Sequence, residues 1–216
     1  ARPQADGWMT PESLSQLRGR DVSRETFEGL EAVVALLEKW NPKINLVSPR
    51  TLGEAWTRHV VDSLQVLDLA EATSGHWADL GTGGGFPGLI VAVAAADEAP
   101  DLSVTLVESD QRKAAFLATA VREAGITATI KPERIEATPP LGANFLSARA
   151  LAPLPRLLAY AERHLSPGGV ALFPKGKMAQ DELDEALASR PFQYEKHPSR
   201  TDSQAVILKI KDIARG

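Results

Sequence analysis

The residues best suited to chemistry begin at Asp79-Leu80, where a hydrophobic run passes straight into Gly81-Thr82-Gly83-Gly84-Gly85-Phe86-Pro87-Gly88. Glycines there let the chain turn sharply and let a ligand approach the main chain without meeting a Cβ. Pro87 then opens a helix whose free N–H groups point at whatever lies over the loop. Two nucleotide-type ligands compete for such a turn. Gly83-x-Gly85-x-x-Gly88 matches the fingerprint of a dinucleotide site. Asp79, however, stands at the carboxyl end of the run, beside the loop, where it would repel a pyrophosphate and attract the ammonium of S-adenosylmethionine. The charge favours the second ligand. Glu108 closes the next hydrophobic run, Val104-Thr105-Leu106-Val107, twenty residues after Gly88. An acid there can accept hydrogen bonds from both ribose hydroxyls of either ligand, so it marks a nucleoside without choosing between them.

These groups need a frame of alternating strands and helices. After Gly75 the chain supplies one: short apolar runs (Ala78-Leu80, Val104-Val107, Ala128-Ile130, Phe145-Leu146, Val170-Phe173) alternate with helical stretches at Pro87–Ala96, Arg112–Ala124, Leu154–His164 and Gln180–Ala188. The alternation predicts an α/β fold, a doubly wound, mostly parallel sheet with helices on both faces. Phe192–Lys196 and Ala205–Ile210, joined by a polar turn, read as a closing antiparallel hairpin. Before Gly75 the pattern is helical. Thr10 and Ser23 read as N-caps, Phe27, Leu30, Val34 and Leu37 share one face, and Pro42 predicts a stop near Trp40-Asn41. A further helix is expected over Thr51–Ala70, with Thr73-Ser74-Gly75 as a linker. Residues 1–75 therefore read as a helical segment packed on the core, and 76–216 as the main domain.

The chain has 216 residues, a formal net charge of −4 and no cysteine. A disulfide scaffold, a thiolate metal site and a cysteine nucleophile are excluded. The first twenty residues carry Arg2, Asp6, Glu12, Arg18 and Arg20 and lack the apolar stretch of a leader. The longest apolar run, Leu89 to Ala96, is far short of the roughly 20 residues that span a bilayer. The expected compartment is the cytoplasm, with no membrane attachment.

Further blocks follow the same order as a known family: Trp40-Asn41-Pro42-Lys43-Ile44-Asn45-Leu46-Val47-Ser48, Arg58 to Leu64, Val104 to Ser109 with Arg112-Lys113 and Phe116-Leu117, Ala148 to Leu154, and Phe173-Pro174-Lys175-Gly176. Together with Asp79–Gly88 they cover about Trp40 to Lys177. They resemble the small-subunit ribosomal RNA guanine-N7 methyltransferases, also called the glucose-inhibited division B family. The resemblance implies a seven-stranded Rossmann-like methyltransferase sheet with an N-terminal helical extension and S-adenosylmethionine as cofactor. It also implies methyl transfer to N7 of a guanosine in the 530 loop of 16S ribosomal RNA. Carried over by position, the family's cofactor contacts fall on Gly81, Phe86, the Ile135-Glu136 pair and Arg149, with Glu108 as the ribose acid. Asp79 and Gly83 complete the cradle. Two departures stand out. Glu108 occupies a place where many relatives have Asp, and Thr201-Asp202-Ser203-Gln204 follows Arg200 where the family's tail is usually more basic.

The residues present narrow the reaction. Methylation at C5 of a pyrimidine needs a covalent nucleophile, normally cysteine. Methylation of an exocyclic amine commonly uses Asn/Asp-Pro-Pro-aromatic, where this chain reads Ser147-Ala148-Arg149-Ala150. Guanine N7 has an outward lone pair and loses no proton before attack, so no general base is assigned. Arg149, after the fourth strand, is the expected positioning residue near the reacting centre, holding the cofactor's carboxylate or a target phosphate. Lys175 and Lys177 on the same edge, and Arg200 in the terminal turn, are candidate RNA contacts. Asn45 either locks the turn after Trp40 or meets the substrate. His59 and Asp62, one helical turn apart, read as a structural pair beside the RNA rather than as a metal site, and no metal is expected. The expected partner is ribosomal RNA or an assembling small subunit, met by a monomer. Two alternatives remain: an NAD(P)-dependent oxidoreductase, which lacks a hydride-transfer histidine–acid pair, and a non-catalytic ribosome-associated binding protein, which needs no cofactor cradle.

Overall fold

The computed structural model describes residues 9–214, so Arg2 and Asp6 lie outside the described residues. Thr10 caps α1 (Pro11–Arg18) through a reciprocal bond with Ser13, and Ser23 caps α2 (Arg24–Ile44). Pro42 does not end α2. α2 continues two residues beyond it, and the stop comes at Asn45 in left-handed conformation (φ 48°). The helix expected over Thr51–Ala70 is broken. α3 (Pro49–Leu52) is followed by a π-helix, Ala55–Val61, and by α4 (Asp62–Ala70). A π-helix bonds i to i+5, so it rotates its side chains off the ordinary helical faces.

β1 (Ser74–Leu80) absorbs the Ser74-Gly75 of the expected linker. Then come α5 (Gly88–Glu98), β2 (Asp101–Val107), α6 (Gln111–Glu123), β3 (Thr129–Lys131), β4 (Ala143–Ser147), α7 (Leu154–His164), β5 (Leu165–Lys175), α8 (Ala179–Ser189), β6 (Gln193–Pro198) and β7 (Val206–Lys211). The seven strands form one sheet in the order β3-β2-β1-β4-β5-β7-β6. β7 runs antiparallel to both β5 and β6, and the other neighbouring pairs are parallel.

Two cores hold the layers together. On one face Phe27, Leu30, Leu37 and Leu64 of the N-terminal helices join Trp77, Leu89, Leu106 and Phe116. On the other, Leu154, Leu158 and Leu183 of α7 and α8 pack with Leu80, Leu146, Phe173 and Ile210. α5 lies between the sheet and the helices α2 and α4, so Gly88 to Ala95 is buried on every side. That placement accounts for an apolar run with no polar stripe. Strand order reverses between β1 and β4. Ligands of open α/β sheets sit outside the carboxyl ends of the strands at such a point.

Candidate functional site

At that switch point lies a cavity of about 730 Å³, within the range of small-molecule sites. Gly81 to Gly84 and Phe86 form one wall, Glu108 and the Arg134–Glu136 segment another, and Arg149 to Ala152 a third. The fourth comes from Leu46 to Ser48, Thr51, Arg58, His59 and Asp62, with Asp202 and Ala205 of the β6–β7 turn. The glycine loop is tight against its surroundings. A Cβ at Gly84 would come within 3.0 Å of the Leu46 carbonyl, and one at Gly88 within 2.4 Å of the Asp79 Cβ. A side chain at Gly88 cannot fit without a shift of Asp79, and one at Gly84 would press on the Leu46 main chain.

Asp79 is not in the cavity wall. It is fully buried beneath the loop. Its Oδ1 accepts from the Ser147 hydroxyl at 2.6 Å, and its Oδ2 accepts from the Gly88 N–H at 3.0 Å. Ser147 Oγ in turn accepts from the Trp77 indole N–H. Burial pushes the Asp79 carboxyl up to about 6, against the lowering pull of these hydrogen bonds. The expectation that Asp79 faces the ligand's ammonium is therefore corrected. The carboxylate ties β1 to the start of α5 and to β4, and so sets the loop's shape from below.

Glu108 does reach the cavity, and its carboxylate braces the loop. Oε2 accepts from the Gly83 N–H and Oε1 from the Asp110 N–H, both at 2.8 Å. Ile135 and Glu136 line the adjoining wall. The Glu136 side chain is taken by the Tyr160 hydroxyl and by Arg156, and the first of these, with its own backbone and Arg156, brings its carboxyl down to about 2. The Glu136 main chain is engaged as well, its N–H by its own carboxylate and its carbonyl by Arg163 at 3.4 Å.

At the loop's own Phe86, the His59 ring and the Arg149 guanidinium gather into one stack. The His59 ring lies 4.9 Å from Phe86 at 28°, and the Arg149 guanidinium sits 5.0 Å above the same ring. Arg149 bonds to His59 Nδ1 at 3.1 Å, and His59 Nε2 bonds to Thr51 Oγ1 at 3.0 Å. Burial, then Arg149 and Arg58, bring the His59 imidazole down to about 3. It is neutral. The expected His59–Asp62 pair does not form, because the π-helix turns the two side chains apart. Asp62 instead accepts from the Ser199 and Thr201 hydroxyls.

Four other candidates lie outside the cavity wall. Lys175 is folded inward onto Glu182 (2.7 Å) and the Ala152 carbonyl. Arg200 bonds to the Arg18 carbonyl and stands beside Asp68, on the far side of α4. Asn45 is a helix cap with an exposed side chain, which answers to its turn-locking reading. Lys177 is exposed but outside the cavity wall. Among the described residues no cluster of three or more histidines and acids is placed to hold a metal ion. No helix of theirs is long and apolar enough to cross a membrane.

Thr51, Thr82 and Asn41 went unnoticed in the sequence. Asn41 is buried and its Oδ1 accepts from Val47 N–H at 2.8 Å, fixing the Leu46–Ser48 wall. Thr82 Oγ1 is buried in the loop and faces the Asp79 carboxylate. A charged guanidinium on one wall and a glycine loop beside an acid on another fit a nucleoside-bearing cofactor with its own charged groups.

Residues 26–208 match the family model for rRNA small subunit methyltransferase G. The chain is 54% identical over 196 residues to the ribosomal RNA small subunit methyltransferase G of Ruegeria pomeroyi, covering 90% of this chain and 95% of that protein. Against the protein of the same name from Paracoccus denitrificans the identity is 49%, covering 89% and 97%. Among solved structures, a ribosomal protein L11 methylase from Lactobacillus delbrueckii subsp. bulgaricus superposes with a TM-score of 0.59 at 20% identity, covering 71% of this chain and 78% of that one. An S-adenosylmethionine-dependent O-methyltransferase from Thermotoga maritima gives 0.59 at 15%, covering 85% and 72%. These two share the fold.

Proposed function

The chain belongs to the rRNA small subunit methyltransferase G family, and we propose that it methylates N7 of a guanosine in the 530 loop of 16S ribosomal RNA. S-adenosylmethionine is the methyl donor, and when bound it supplies a methyl group on a positively charged sulfur, open to in-line displacement. The observation that carries N7 is the state of the polar groups on the acceptor side of the cavity. His59 turns Nδ1 to Arg149, Asp62 accepts from Ser199 and Thr201, and Asp202 accepts from Arg58. The imidazole that lines the cavity therefore has its lone pair engaged by a cation and is not free to take a proton. Guanine N7 offers its lone pair directly and needs no such acceptor. The protein's task is then alignment, worth roughly 7–11 kcal/mol of barrier in favourable systems.

In this reading Gly81, Gly83, Phe86, Glu108 and the Ile135-Glu136 pair hold the cofactor, above the loop that Asp79 clasps. Arg149 holds the cofactor's carboxylate or a target phosphate. Residues 76–216 are the methyltransferase domain, and residues 1–75 supply the acceptor-side wall through His59 and Asp62. The enzyme acts as a cytoplasmic monomer on ribosomal RNA or an assembling small subunit. Mapping methylated guanosines in ribosomal RNA from cells lacking the protein tests the reading. The 530-loop N7-methylguanosine should vanish, and an unchanged pattern overturns the assignment.

A further inference from the structure

We propose that His59 is a positioning residue that holds the Arg149 guanidinium over Phe86 without neutralising it. The proposal rests on the methyltransferase reading only for the ligand that Arg149 meets, not for the contact itself. The protons in the contact can be counted. Thr51 Oγ1 donates its single proton to the Ser48 carbonyl at 3.0 Å. Toward His59 Nε2 it can therefore only accept, so Nε2 carries the ring proton. Nδ1 is left with a lone pair, and Arg149, which has donors alone, supplies the hydrogen across 3.1 Å. The bonds run one way, from Arg149 to His59 to Thr51 to the Ser48 carbonyl.

The choice of a neutral acceptor has a consequence. A carboxylate in this place would hold a guanidinium more strongly and cancel its charge. Imidazole orients Arg149 and leaves the charge for an incoming anion, either a carboxylate or a phosphate. Besides the Phe86 ring, the guanidinium's one other hydrogen-bonding contact among the described residues is a 3.5 Å approach to the Arg58 carbonyl, at the edge of range. Most of its five N–H groups are thus unspent. Stacking on Phe86 keeps the ring from turning, and the π-helix carries His59 to the cavity beside Arg58. Arg58 and Arg149 are the cations beside the imidazole and Asp62 the acid nearby, so burial and the two cations favour the neutral ring. The same arrangement bars His59 from acting as a general base, because its lone pair already points at a cation.

Two measurements test this on the full-length protein. The first is the ¹⁵N shifts of the His59 ring across about pH 5 to 9. A neutral ring protonated at Nε2 throughout, with the Nδ1 signal moving in Arg149→Ala, is expected. An Nδ1-protonated ring, or titration near 6.5, overturns the proposal. The second compares His59→Leu, which removes the acceptor, with His59→Asn, whose Oδ1 replaces it near Nδ1. In folded protein, kcat/KM on small subunits lacking the modification should drop about tenfold or more in the Leu variant and recover to within about threefold in the Asn variant. Unchanged activity in Leu, or equal loss in both, overturns the proposal. Absence of turnover in the unsubstituted enzyme would instead count against the methyltransferase assignment, and the ring signals would still decide the role of His59.

Discussion

Replacing Asp79 by Asn should change how stability depends on pH, by an amount the structure fixes. Asp79 is wholly buried with no cation bonded to it, and its carboxyl is raised from 3.8 to about 6. The folded state therefore keeps a proton that the unfolded chain has released between about pH 4 and 6. Stability from this group is present at low pH and is lost as pH rises through that window. At 1.36 kcal/mol per pH unit, the whole shift is worth about 3 kcal/mol, of which about 2 kcal/mol falls between pH 4.5 and pH 7.5. His59 and His164 work in the opposite sense, since burial lowers both and their stability contribution is lost as pH falls. The slope of the native protein alone is therefore a sum, and the comparison must be a difference. Asn is nearly isosteric, its carbonyl can accept from Gly88 N–H, and it cannot ionise. Urea unfolding of both proteins at the two pH values should find the stability difference, Asn variant minus native, larger by about 2 kcal/mol at pH 7.5 than at pH 4.5. Parallel pH profiles would refute the argument, because they would mean that Asp79 ionises in the fold as it does in water.

The other predictions address separate links. Arg149→Ala should abolish methyl transfer while leaving the unfolding midpoint nearly unchanged, since the guanidinium makes few bonds within the fold; full activity in a purified assay would refute its role. Arg18 is buried and bonds to both Asp68 and Glu98, joining α1 to α4 and α5. Arg18→Met should destabilise by about 3 kcal/mol in denaturant unfolding, near the low end for a broken buried pair because Arg20 stands 3.4–3.6 Å from the same acids. The two lysines after β5 should separate. Lys175→Ala leaves Glu182 without its cation and should lower stability by about 1–2 kcal/mol. Lys177→Ala should leave stability alone and, if that side chain meets RNA, make the salt slope of RNA binding shallower by about 0.7–0.9.

How much of this was legible in the sequence follows from the distances over which each residue acts. The glycine loop, Glu108 and Arg149 could be read because each lies at the end of a strand, and a parallel sheet collects strand ends at one edge. What each side chain does there could not be read. Asp79 was assigned to the ligand from its place beside the loop, yet its partner Ser147 is 68 residues away. The His59–Arg149 bond spans 90 residues. Local spacing suggested an i,i+3 partner for His59, and the spacing of Trp56, Val60, Leu64 and Leu67 is as compatible with an α-helix as with the π-helix found. Hydrophobic period reports which face is buried, and it is blind to one extra residue in a turn. A proline likewise marks the neighbourhood of a helix end and not its last residue, since α2 runs to Ile44.

Charge is where sequence and structure diverge most, and it bears on how an acidic chain meets RNA. Counting residues gives a net charge of −4 and no strongly basic segment. The structure divides the basic side chains into those spent inside and those left over. Arg18, Lys175 and Arg190 are used to join elements, and Arg200 is drawn toward Asp68. Around the cavity, Arg58 is matched by Asp202 and Arg156 by Glu136. Lys113, Arg134 and Arg149 also line the cavity, and none has a carboxylate partner among the described salt bridges. Three unpaired cations thus meet at one site, while Lys39, Lys43, Arg50, Arg163, Lys177 and Lys196, also without a described salt bridge, are scattered outside it. A chain built this way gains little from non-specific attraction to a polyanion, which scales with the number of phosphates neutralised. Selection of its substrate must therefore rest on the shape presented to the cavity and on a few placed cations, and the neutral partner of Arg149 preserves one of those cations for the ligand.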